Sequence, residues 1–246
     1  MAALDVDQLH TGYGDIRVVR GVSLVTEPGS ISVLLGRNGV GKTTTLLALA
    51  GLLPANAGRV SLHGQDVTRT RAESRVKAGL GFVQEGKRIF RDRTVDENLQ
   101  LGAYTLRAKR RSWRHSIEEA YDRFPLLREK RSEPAGRLSG GQQQMLAIAQ
   151  ALLAKPTVLM LDEPSAGLAP QVADAVFDTL RSLRDDGLAV LLVEQAIDEA
   201  IHISDHVYVM DGGRITRNWR TSELDAESIR SEIVGSSDSA AFQPKP

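Results

Sequence analysis

The sequence predicts an α/β protein, with a parallel sheet flanked by helices, an antiparallel β-subdomain and a helical insert. Three observations carry this. The short apolar runs "ISVLL" (31–35), "TVLMLD" (157–162) and "LAVLLVE" (188–194) read as strands buried on both faces. Helix-patterned segments separate them, as a parallel sheet requires. Residues 86–137 are rich in Arg and Glu and lack any buried-strand run, which reads as a helical insert.

Taken in order, "VSLVTEPGSISV" and "GRVSLHG" predict short strands joined by glycine or proline turns. Behind the run at 31–35, "GRNGVG" opens a helix, "TTTLLALAG", that stops at Gly51 with Pro54 just beyond. Val172, Ala175, Val176, Leu180 and Leu183 fall at helical spacing and predict one apolar face over 171–184. "HVYVMDGGRIT" predicts a hairpin turning at Asp211-Gly212-Gly213. Antiparallel strands are therefore expected on both sides of the parallel core. The tail at 236–246 is small, polar and proline-bearing, and predicts disorder.

Composition narrows the function. The 246 residues suit one large α/β domain or a core with a small subdomain. Lys plus Arg equals Asp plus Glu, 31 each, so no general basic surface for nucleic acid is expected. The absence of cysteine excludes a disulfide framework, a thiolate metal site and a cysteine nucleophile. "MAALDVDQLH" lacks a signal-peptide pattern, and no apolar run reaches membrane-spanning length. A cytoplasmic protein is expected, one that docks onto a partner if it works at a membrane. The basic run "RAKRRSWRH" (107–115) holds one aromatic and is followed by "SIEEAYDRF"; it reads as a solvated helical face, ahead of a docking surface for a membrane partner or anionic lipid head-groups.

"GRNGVGKT" (36–43) fits G-x-x-x-x-G-K-[ST] directly after a buried strand and before a helix. Its glycines let successive N–H groups point at phosphate oxygens, and the helix start adds its positive end. This predicts a P-loop NTPase core in which Lys42 reaches the β- and γ-phosphates and Thr43 ligates Mg²⁺. "VLMLDE" supplies the acids such a site needs: Asp162 at a strand end to hold Mg²⁺, and Glu163 to polarise the attacking water. No second base-specificity motif is visible, which favours ATP over GTP.

The P-loop, "LSGGQ" (138–142) and "LMLDEP" in that order resemble the ATP-binding cassette (ABC) ATPases, over residues 4–235. More narrowly, "YGDIRVVRGVSL", "EGKRIF", "LSGGQQQMLAIAQAL", "LDEPSAGLAP" and "LLVEQ" look like the cassettes of branched-chain amino acid importers. Cassettes of urea and short-chain amide importers are close relatives. The resemblance implies that Tyr13 stacks on adenine and that Gly36, Arg37, Asn38, Gly39, Val40, Gly41, Lys42, Thr43 and Thr44 wrap the phosphates. It implies that Ser139, Gly140, Gly141 and Gln142 contact the γ-phosphate held by the opposite subunit, with 165–169 lying across the dimer interface. The helical subdomain would comprise about 86–137 plus the signature helix, anchored through Met145, Ile148, Ala149 and Leu152.

Three positions depart from the family pattern. The lid glutamine falls at Glu85, with Gln84 beside it; Glu85 could still touch the metal. The switch histidine is Gln195, which can donate a hydrogen bond but carries no charge. The dimer-contact loop ends in Ala169 instead of Asp. His202 and His206 read as ordinary helix-end histidines.

The implied protein is an importer ATPase using ATP and Mg²⁺ at the cytoplasmic face of the membrane. Its implied partners are a second cassette, identical or not, two transmembrane permease subunits and an extracytoplasmic solute-binding protein. A non-transport ABC ATPase of the iron–sulfur assembly type is the alternative from another class. The span from Lys42 to Ser139 is too short for the heptad insert of a chromosome-maintenance protein.

Overall fold

A computed structural model of the chain describes residues 1–106, 112–195 and 197–223. The expected disordered tail and residues 107–111 of the basic run lie outside them. The first half runs β1 (Leu4–Tyr13), β2 (Ile16–Thr26), β3 (Ile31–Leu35), α1 (Lys42–Leu49), β4 (Ala57–Leu62), β5 (Gln65–Asp66), α2 (Ala72–Lys77) and β6 (Leu80–Val83). Then come α3 (Val95–Gly102), α4 (Ser112–Arg123), α5 (Pro125–Glu129) and α6 (Gly140–Leu152). The remainder is β7 (Val158–Asp162), α7 (Pro170–Asp185), β8 (Ala189–Glu194), α8 (Ile197–Ile203), β9 (His206–Asp211) and β10 (Arg214–Arg220).

Two sheets form. The first has four strands in the order β2-β1-β4-β5, all antiparallel. The second has six in the order β10-β9-β3-β8-β7-β6. All of its pairings are parallel except β10 on β9. Here the structure corrects the sequence reading. "HVYVMD" is β9, which pairs in parallel with β3, so only β10 runs antiparallel. β2 is 11 residues long, not short. β1 escaped notice because its alternation breaks: Gln8 has φ 47, and the register slips between Val6 and Leu9.

The central strands are sandwiched, which explains their uninterrupted apolar sequence. Leu34, Met160, Leu191 and Val193 face α1 through Leu46 and Leu49. Their neighbours Val33, Leu35, Leu159, Leu161 and Leu192 face the opposite cluster, with Leu146, Ile148 and Ala149 of α6 and Phe177 and Leu180 of α7. The α7 stripe passes through Phe177 while Ala175 is exposed, because the ring has far more apolar area to remove from water. On α6, Ile148 and Ala149 are buried as expected, whereas Met145 and Leu152 are only half-buried and Leu146 takes a central place. His202 lies in the last turn of α8, but His206 opens β9 and stacks on Tyr208 with ring centroids 4.4 Å apart.

The insert between β6 and β7 is helical and opens with a capping box between Thr94 and Glu97. It is tied back to the core by ion pairs Glu119–Lys155 and Arg123–Asp186. Buried Arg75 donates to the carbonyls of Ala48 and Leu49, each at 2.7 Å, and so anchors the far end of α1. The consequence for chemistry is positional. β3, β8 and β7 are adjacent and parallel, with Leu35 opposite Glu194 and Asp162 opposite Val193. Their C-terminal ends therefore open at one edge, where open α/β sheets place ligands.

Candidate functional site

The loop after β3 curls because its glycines permit it. Gly41, the N-cap of α1, has φ 113, a conformation L side chains rarely adopt. A Cβ on Gly36 would lie 2.5 Å from the carbonyl oxygen of Met210, so β9 enforces glycine there. Hydrogen bonding of α1 begins with Thr45 N–H donating to Gly41 O at 2.8 Å. The amides just before it are the unpaired donors of a helix start. Lys42 is 4% exposed. Its ammonium donates to Gly36 O at 2.7 Å and Arg37 O at 3.3 Å, and pairs with Glu163 Oε1 at 3.4 Å.

From β7, Asp162 is 2% exposed and its Oδ1 accepts from Thr43 Oγ1 at 3.2 Å. Burial pushes its carboxyl up to about 6, helped by the nearby charges of Glu163 and Glu85; the Thr43 hydroxyl and Lys42 oppose that rise. Glu163 sits in the left-handed region, φ 47, with its N–H donating to Val193 O at 2.9 Å. From the end of β8, Gln195 Nε2 donates to Glu163 Oε2. Lys42, Glu163 and Gln195 thus form one line, an ion pair followed by a hydrogen bond, across three strand ends.

These groups line a cavity of about 350 Å³ with Asn38, Gly39, Gly41, Thr43, Thr44 and Glu85. Of the two lid candidates, Glu85 is the one in its wall. Asp162 lies beneath, behind Thr43, and Gly36 and Arg37 join through their carbonyls. Val40 packs with the core cluster beside β2. Tyr13 ends β1, 50% exposed, outside the lining.

The donors around Thr43 and Asp162 are hard oxygens, suited to Mg²⁺. No group of three or more His, Asp or Glu that could hold a metal occurs among the described residues. A cation here would need further oxygens from water or phosphate, as Mg²⁺ commonly takes.

Ser139, Gly140, Gly141 and Gln142 also lie outside this cavity's lining. Ser139 caps α6: its Oγ accepts from Gln142 N at 3.3 Å, while Gln142 Oε1 accepts from Ser139 N at 3.0 Å. Ser139 and Gly140 are exposed.

Sequence reasoning missed Glu194. It is 2% exposed, and its carboxylate accepts from Ser165 N at 3.0 Å and Gln195 N at 3.2 Å. Its only sequence signal is an acid ending an otherwise apolar strand.

The family model described as "ABC transporter" matches residues 19–166. The chain is 39% identical over 218 residues to the probable branched-chain amino acid transport ATP-binding protein LivF of Archaeoglobus fulgidus, covering 88% of this chain and 92% of that one. It is 37% identical to the high-affinity branched-chain amino acid transport ATP-binding protein BraG of Pseudomonas aeruginosa, covering 86% and 90%. A nucleotide-free ATP-binding cassette from an ABC transporter superposes with TM-score 0.83 at 27% identity, covering 95% of this chain and 98% of that one.

The raised Asp162 carboxyl has a measurable consequence. A carboxyl whose folded value lies above its unfolded one binds its proton more tightly when folded, so its contribution to stability falls as pH rises between the two values. The window runs from the ordinary 3.8 to about 6. Asp162→Asn should flatten that part of the stability–pH curve, where the carboxyl contributes on the order of 3 kcal/mol. Urea unfolding of nucleotide-free protein in EDTA across this window reads it; an unchanged slope in the variant counts against a buried acid.

Proposed function

The chain belongs to the ABC transporter family as an ATPase subunit, and we propose that it energises import of branched-chain amino acids through separate permease subunits. The observation that carries the ATPase chemistry is the line Lys42–Glu163–Gln195 in the wall of the P-loop cavity. The solute assignment rests on the similarity to LivF and BraG over most of both chains. No described helix is long and apolar enough to cross a membrane. Transport therefore calls for membrane subunits at whose cytoplasmic face this chain sits, fed by a solute-binding protein on the other side.

In this reading ATP enters with its phosphates against the N-terminus of α1. The amides of Gly39 to Thr44 meet the phosphate oxygens, and Lys42 turns its ammonium from the Gly36 and Arg37 carbonyls to the β- and γ-phosphates. Thr43 Oγ1 and Asp162 would hold Mg²⁺, with Glu85 at its edge. When bound, Mg²⁺ neutralises charge on the β- and γ-oxygens. Glu163 accepts a proton from the attacking water, and Gln195 fixes its carboxylate while donating toward the γ-phosphate. Tyr13 stacks on the adenine. A second cassette closes head to tail, so that its Ser139, Gly140, Gly141 and Gln142 complete the γ-phosphate cage. Closure drives the permeases, and phosphate release reopens the pair.

Glu163→Gln should lower kcat about a hundredfold or more while ATP affinity stays within about twofold, and a closed dimer should accumulate. Turnover and size-exclusion chromatography with ATP check this; undiminished hydrolysis would remove Glu163 as the base. Ser139→Arg should cut hydrolysis by a similar factor of about a hundred without weakening ATP binding to the single chain. An equal loss of monomer affinity would place the signature loop at its own site instead. In proteoliposomes with permeases and binding protein, leucine, isoleucine or valine should raise ATPase activity; stimulation by urea or short amides instead would reassign the solute.

A further inference from the structure

Glu194 closes β8 with its carboxylate buried between two loops. Oε1 accepts the Ser165 N–H from the turn after β7, and Oε2 accepts the Gln195 N–H of the next residue. It makes no ion pair among the described residues, and burial pushes its carboxyl upward, partly offset by Ser165 and the Gln195 amide. Taking a carboxylate out of water costs several kcal/mol, which an apolar residue ending a sandwiched strand would avoid. What the carboxylate adds is two acceptors, one for each loop.

The two loops it joins flank Glu163 on both sides. Gln195 holds Glu163 Oε2 through its side-chain amide, and Glu163 Oε1 pairs with Lys42. The turn at 165–169 leaves Glu163 directly: Ala166 N–H donates to Glu163 O at 3.1 Å, and Leu168 N–H to Ser165 O at 3.1 Å. Those bonds are internal to the turn. Beside the Glu163 N–H bond to Val193 O at its base, Glu194 fastens Ser165 of the turn to the end of β8, 29 residues away. A continuous path thus runs from the exposed turn, through Glu194 and Gln195, to Glu163 and Lys42.

We propose that Glu194 is a positioning residue for hydrolysis, tying the turn at 165–169 to Gln195 so that both hold Glu163 in register with the attacking water. This rests on the ATPase reading above. The role predicts a loss in the chemical step and not in nucleotide binding, since the hydrogen bonds that Glu194 makes go to Ser165 and Gln195 and not to the P-loop.

The test is steady-state ATP hydrolysis by the full chain carrying Glu194→Ala or Glu194→Gln, with Glu163→Gln alongside. Glu194→Ala should lower kcat by about tenfold to a hundredfold, with KM and ATP affinity within about twofold of the parent. Glu194→Gln should fall between parent and Ala, because its amide oxygen still accepts one of the two N–H groups. If kcat stays within about twofold in both variants, or KM rises while kcat holds, or Ala and Gln are equally impaired, the positioning role is wrong. Should Glu194→Ala fail to fold, Glu194→Gln decides alone: reduced kcat at unchanged KM supports the role, and unchanged kcat overturns it. Turnover lost in Glu163→Gln but intact in the Glu194 variants sinks only this inference. Turnover retained in Glu163→Gln sinks the parent reading, and this one with it.

Discussion

Burying the Lys42 ammonium is the constraint on which the rest of the site is built. An amine held out of water costs several kcal/mol unless its donors are met. Here they are met by the Gly36 and Arg37 carbonyls and by Glu163. The carbonyls point inward only because the loop curls through Gly36 and Gly41, and Gly36 can lie against Met210 O only without a side chain. The carboxylate arrives only because β7 runs parallel beside β8 and β8 beside β3. Sheet order, loop composition and helix start are therefore all conditions for keeping one charge in place.

Around that one buried cation stand more acids than it can balance. Burial pushes the Asp162 and Glu194 carboxyls upward, and the charge of Glu163 adds to both, that of Glu85 to Asp162. A polyphosphate entering alone would add to that surplus of negative charge. Entry together with a divalent cation relieves it, and the oxygens of Thr43 and of buried Asp162 are of the hardness such a cation prefers. The left-handed backbone at Glu163 belongs to the same economy of space. A non-glycine residue at φ 47 carries strain of about 1–3 kcal/mol, and here it accompanies a side chain held to both Lys42 and Gln195.

Much of this was legible because it is local. A glycine-rich loop between a buried strand and a helix, and an acid pair closing another buried strand, are contiguous patterns whose physics is set within a few residues. The hairpin at Gly212-Gly213 was equally plain, since both residues adopt positive φ. What escaped depended on distant partners. β1 was hidden by a bulge that breaks its alternation, and β9 joined the parallel sheet through pairing with β3, on which its own sequence is silent. Glu194 escaped for the same reason: its meaning lies in Ser165, a residue on another loop. The choice between Gln84 and Glu85 likewise needed coordinates, which put Glu85 in the cavity wall.

The signature segment separates into residues explained by their own chain and residues that are not. Gly141 is fixed internally, since a Cβ there would lie 2.0 Å from Val172 Cγ1. Gln142 is committed to the reciprocal cap with Ser139. Gln143 is buried, its amide donating to Leu138 O at 3.0 Å. Gly140 differs: a Cβ there would meet nothing nearer than 3.4 Å, so intrachain packing leaves room for a side chain. Ser139 differs too, because its oxygen accepts in the cap while its hydroxyl proton stays available to donate. The Ser139 hydroxyl proton and the open space at Gly140 are what the fold leaves unused, and they lie on the two exposed positions at the positive end of α6. That division is what a helix start would show if it were shaped by an anion that another chain brings to it.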